Sequence, residues 1–117
     1  MDELYKISML LDFYGQMLTK RQYEILDLHY NGDYSLGEIA QELDISRQGV
    51  YDNIKRGKAA LFDMENKLGL VSRFNRQKER TSEIIKLLEA IDVSALGAQN
   101  RKSIEKVRLE LRSIMED

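Results

Sequence analysis

The chain has 117 residues, a formal net charge of −2, seven glycines, and neither cysteine nor proline. That length suits one domain, or one domain with a helical extension, and can bury a modest core without covalent staples. The lack of cysteine excludes disulfides and thiolate metal sites, and abundant Leu, Glu, Lys, Ile and Arg with no proline predict an all-α fold.

The first stretch, "MDELYKISMLLDFYG", carries acids where a signal peptide would be basic, and its apolar residues are spaced rather than continuous. No run approaches the ~18 apolar residues that mark a spanning helix, so the expectation is a cytoplasmic protein without membrane insertion. Leu4, Ile7, Leu10, Leu11 and Tyr14 recur at helical spacing and predict an amphipathic helix over 3–14. Thr19 opens the next helix, with Gln22 at the capping-box position. Tyr23, Leu26 and Tyr30 then share a face flanked by Ile25 and Leu28. "NGD" at 31–33 ends it, with Gly32 expected to take a positive φ.

Ser35 and Glu38 form a second capping box before Ile39, Ala40 and Leu43, and Asp44 and Ile45 make a turn. Ser46 caps a longer helix through Val50, Ile54, Leu61 and Leu68, with Gly69 as its stop. "SRFNRQKERTSE" at 72–83 is polar and helix-permissive and leads into Ile84, Leu87, Leu88 and Ile91. "DVSALGAQN" at 92–100 reads as a loop. The last helix carries Ile104, Val107, Leu111 and Ile114 at spacings of 3, 4 and 3, a seam of about two heptads. This seam needs cover, and a homodimer is the expectation. The division is a helix-turn-helix core at 1–70 and carboxy-terminal helices at 71–117, for dimerisation or partner binding.

Helices meeting at a tight turn require a small residue, a turn residue tolerant of unusual φ, and inward apolar anchors. Ala40, Asp44 and the set Ile39, Leu43, Ile45, Val50 and Ile54 fill those roles. With Val50 and Ile54 inward, the outward face of the second helix presents Arg47, Gln48, Tyr51, Asn53, Lys55 and Lys58. Arg and Gln match guanine and adenine edges, whereas Lys and Tyr hydroxyls reach phosphates. Ser46 and the N–H groups beside it suit a phosphate. Asp52 is expected to pair with Arg56 at i+4.

Charge is distributed to match. Residues 1–45 hold three basic and nine acidic groups, residues 46–80 nine and four, and residues 81–117 six and seven. The positive block begins at the second helix of the motif. The alternative for these charges is a solvated helix face. His29, the only histidine, sits in the last turn of its helix and reads as structural. Tyr5, Tyr14, Tyr23 and Tyr30 sit at core-like positions with hydroxyls at the surface, and Tyr51 alone reads as exposed. There is no zinc-ligand set, glycine-rich phosphate loop or catalytic constellation, so neither a cofactor nor a bound metal nor enzymatic activity is expected.

Over residues 4–70 the chain resembles the YlxM family of small bacterial helix-turn-helix proteins, through "DFYG", "LTKRQ", "DYSLGEIA", "ISRQGVYDNIKR" and "ENKLGL". "LTKRQYEILDLHY" and "SLGEIAQELDIS" are also similar to the promoter-reading carboxy-terminal domain of bacterial sigma factors. The resemblance implies a DNA-binding regulatory protein, with Arg47, Gln48, Tyr51 and Lys55 as contact positions. It also implies a link to the signal recognition particle pathway through neighbouring genes, with the particle's GTPase or receptor as partners. The alternative is a protein- or RNA-binding accessory factor of that particle. Arg73, Arg76, Lys78 and Arg80, interrupted by Phe74, would then grip structured RNA or an acidic partner.

Overall fold

The computed structural model describes residues 2–116 and contains six α-helices, with no strand among the described residues. They are α1 (Glu3–Tyr14), α2 (Lys20–Leu26), α3 (Leu36–Leu43), α4 (Arg47–Leu68), α5 (Leu70–Glu89) and α6 (Ala98–Glu116). No helix is long and apolar enough to cross a membrane. The chain divides into two compact units, Met1–Ser72 and Arg73–Asp117.

Local chemistry sets the helix starts of the first unit. Asp2 accepts from the Leu4 amide and caps α1. Thr19 and Gln22, and then Ser35 and Glu38, form complete reciprocal capping boxes at α2 and α3. The hydrogen bonds from the Ser35 amide and hydroxyl hold the Glu38 carboxyl below its ordinary range. α3 ends with Asp44 in the left-handed region at φ 56°, as the turn requires. Gly69, at φ 64°, stops α4.

The end of α2 departs from expectation. It widens into a π turn over Asp27–Asn31, with the Gly32 amide donating to the Asp27 carbonyl at 3.0 Å. Gly32 stays at φ −95°, and Asp33 takes the left-handed conformation at φ 59° instead. The His29 Nδ1–H donates to the Tyr34 carbonyl at 2.7 Å, which ties the π turn to the segment that leads into α3.

Ile7, Leu10, Leu11 and Tyr14 of α1 meet Ile25 and Leu26 of α2, Ile39 of α3, and Val50, Ile54 and Leu61 of α4 in one core. Each such side chain contributes about 1.5–3 kcal/mol on burial. Leu4 and Leu68, expected on the inward faces, are instead about half exposed, at 49% and 48%; they lie one turn beyond the core at the helix ends. Gly57 lets α2 and α4 lie close together: a Cβ there would lie 2.6 Å from Leu26 Cδ1. Tyr5 and Tyr23 are exposed rather than packed.

Tyr14 is fully buried, and its hydroxyl is not at the surface. It donates to Glu65 Oε1 at 2.6 Å and accepts from the Leu70 amide at 3.1 Å. The Glu65 carboxylate also accepts from the Val71 and Ser72 amides, at 3.1 and 3.0 Å. One carboxylate thus satisfies first-turn donors of α5 that have no partner within the helix. Burial raises the Glu65 carboxyl pKa, but the bonds from Tyr14, Val71 and Ser72 and the charge of Lys6 outweigh it and leave a net lowering. Burial and the bond to Glu65 raise the Tyr14 phenol.

In the second unit, α5 runs without a break through the polar stretch at 72–83. The loop closes earlier than expected, since 98–100 already belong to α6. Arg108 of α6 donates to the Leu88 and Ile91 carbonyls at the end of α5, and Arg112 pairs with Glu89. A guanidinium thereby covers carbonyls that the helix leaves open. These contacts, with Ile114 and Met115 beside Phe74, Thr81 and Ile84, make α5 and α6 an antiparallel hairpin.

Candidate nucleic-acid interface

α3, the turn at Asp44–Ser46 and the start of α4 form the helix-turn-helix, and α4 is its second helix. Val50, Ile54, Gly57 and Leu61 point into the core. At 100° per residue this turns Gln48, Tyr51, Asp52, Lys55 and Arg56 outward. Ile45, Leu43 and Ala40 are half-buried against the core and fix the turn from beneath.

Ser46 caps α4, its Oγ accepting from the Gly49 amide at 3.0 Å. Arg47 is exposed, and its guanidinium lies over Gly37 of α3, where a Cβ would come within 2.8 Å of Nη2. Gln48 and Tyr51 are also exposed. The Gln48 amide donates to Asp52 Oδ1 at 3.0 Å, so Asp52 is held by Gln48 and not by Arg56. Arg56 is left exposed on the outward face beside Lys55.

Two of the expected contact residues are engaged elsewhere. Asn53 is half-buried and its Nδ2 donates to the Gly49 carbonyl at 2.8 Å, along its own helix. Lys58 is ion-paired with Glu3, and its ammonium sits 6.0 Å from the Tyr30 ring centroid. The bond to Glu3 is the main cause that raises the Lys58 pKa, with Tyr30 adding to it against burial. Lys58 therefore fastens α1 to α4.

The open set is Arg47, Gln48, Tyr51, Lys55 and Arg56: three cations, an amide and a phenol over about three turns. Such a set offers forked donors for base edges and point donors for phosphates. Helical spacing places Arg56 eight residues after Gln48, on the same face, so its position was readable from sequence. The seat that Gly37 provides was not, because it joins two helices through a side chain rather than through a repeat.

Comparison with known proteins agrees with this geometry. Residues 1–105 match the UPF0122 family model, described as "Putative helix-turn-helix protein, YlxM / p13 like". A UPF0122 protein of Acetivibrio thermocellus is 57% identical over 116 residues, covering 99% of each chain. One from Desulforamulus reducens is 41% identical over 114 residues, covering 96% of this chain and 97% of its own. One from Halalkalibacterium halodurans is 43% identical over 108 residues, covering 92% and 95%. Helical architecture, turn chemistry and full-length similarity lead to one conclusion: this chain belongs to the UPF0122 family of YlxM / p13-like helix-turn-helix proteins.

Proposed function

We propose that this chain is a DNA-binding regulatory protein that meets duplex DNA with the first turns of α4. The observation that carries the reading is the open set on α4: Arg47, Gln48, Tyr51, Lys55 and Arg56 all project from a helix seated at its start by α3. Arg47 and Gln48 stand where recognition helices read bases, and Lys55, Arg56 and Tyr51 supply backbone contacts. The link to the signal recognition particle pathway, drawn from the family resemblance, is part of this proposal.

Fluorescence anisotropy against random duplex DNA at two salt concentrations tests it. With about four phosphates neutralised, affinity falls roughly a hundredfold between ~50 and ~200 mM salt, from a slope near −0.9 per phosphate. Arg47→Ala with Lys55→Ala weakens binding and flattens that slope by about 0.9, for the phosphate contact of Lys55, while leaving the helical content intact. Binding retained at an unchanged slope would remove the assignment.

A second reading has its own observation. Arg73, Arg76, Lys78 and Arg80 are all exposed on α5, with Lys78 5.9 Å from the Phe74 ring centroid. This row suits the backbone of structured RNA, as an accessory factor of the particle would need. Preference for RNA hairpins over duplex DNA in the same assay, lost on neutralising Arg76 and Arg80, would favour it.

A further inference from the structure

Within residues 73–116 no side chain is buried. The hairpin of α5 and α6 is joined by carbonyl capping, an ion pair and a half-buried apolar seam, and none of its side chains reaches full burial. Its apolar residues are present but open. Ile84 and Leu87 on α5 are 46% and 71% exposed, Ile91 just beyond its end is 44% exposed, and Val107 and Ile114 on α6 are 45% and 61% exposed.

Helix geometry puts the four helical ones on one side. On α5, Leu88, Ile85 and Thr81 are half-buried, as are Ile104, Arg108, Leu111 and Met115 on α6, which marks the side on which each helix faces the other. At 100° per residue the exposed stripe of each helix lies roughly a quarter turn from that line, in the same rotational sense. In an antiparallel pair, equal offsets bring both stripes to one face of the hairpin. Ile84 and Ile114 line a common groove of about 330 Å³ there.

We infer that this face is the contact between two copies of the chain, α5 and α6 of one packing on α5 and α6 of the other as a bundle. Three observations select a second copy. The open stripe runs beside an apolar groove as one contiguous patch of large aliphatic side chains, the kind of surface that marks a protein–protein contact. A unit with no buried residue needs its cover permanently, as an obligate homodimer supplies it. The rim carries both signs, Arg80 and Glu83 on α5 and Glu110 on α6, so the face suits a surface like itself rather than a partner of one charge. This inference stands independently of DNA binding by α4.

Sedimentation equilibrium of the full chain at about 10 μM, within the range formed by standard-size interfaces, reads it out. The expected mass is twice the 13.6 kDa of one chain. Leu87→Glu with Ile114→Glu shifts the mass to one chain, with the dimer dissociation constant raised by at least about a hundredfold. Leu109→Glu, on the opposite side of α6 and 69% exposed, leaves the dimer intact. Hydrogen exchange on α1–α4 shows the first unit still folded in every variant. A single-chain mass for the natural protein overturns the inference, as does a dimer that survives the double substitution or one that Leu109→Glu disrupts equally.

Discussion

Gly37 shows how one missing side chain shapes the α4 surface. The Arg47 guanidinium rests where a Cβ at 37 would stand, 2.8 Å from Nη2. The obstacle is the free end of a long side chain, and alanine is about 1 kcal/mol better than glycine within a helix. Gly37→Ala therefore leaves thermal stability equal or slightly higher, yet drives the guanidinium off its seat. Duplex affinity is expected to fall about tenfold, the worth of one well-placed guanidinium contact, as measured by anisotropy beside a thermal melt. A lowered melting temperature with unchanged affinity would make Gly37 a packing residue only. Residues that act through their neighbours in sequence were readable in advance. Asp44 takes the left-handed turn, and Ser46 caps with its own hydroxyl. The ion pair of Lys58 was hidden because its partner, Glu3, is 55 positions away and no spacing rule connects them.

Among the helices, the starts of α1 to α4 and the stop of α4 were legible because capping is decided within four residues. The π turn was not, since it answers to packing: it places His29 against the Tyr34 carbonyl and Tyr30 near Lys58. The junction of α4 and α5 was equally hidden, because Tyr14 and Glu65 stand 51 residues apart. Its energetics are testable. The folded state holds the Glu65 carboxyl below its unfolded value, so its stabilisation is complete above the unfolded pKa and is lost as pH falls through the folded one. Glu65→Gln is expected to remove part of the acid-side decline in denaturant stability and to lower stability at neutral pH. Tyr14→Phe leaves the Leu70 amide without its acceptor and costs about 1–3 kcal/mol. An acid limb identical in Glu65→Gln and the natural chain would show that the carboxylate is not the group titrating there.

At the scale of the whole molecule, the proposed dimer, joined through its hairpins, would carry two copies of α4. Bound DNA is then expected to be two-fold symmetric, since an isologous dimer repeats each contact. Selection from a random duplex library is expected to return inverted half-sites. Leu87→Glu with Ile114→Glu would reduce these to single half-sites with about half the salt slope. Symmetric sites returned by the monomeric variant would separate the palindrome from the dimer. The bond pattern at Leu70–Ser72 also settles where this chain can be cut. Three amides of α5 are spent on Tyr14 and Glu65, so its first turn belongs to the helix-turn-helix unit, although the helix continues unbroken into the next. A recombination event or a designer exchanging one hairpin for another must leave those three residues behind; the transferable cassette begins at Arg73.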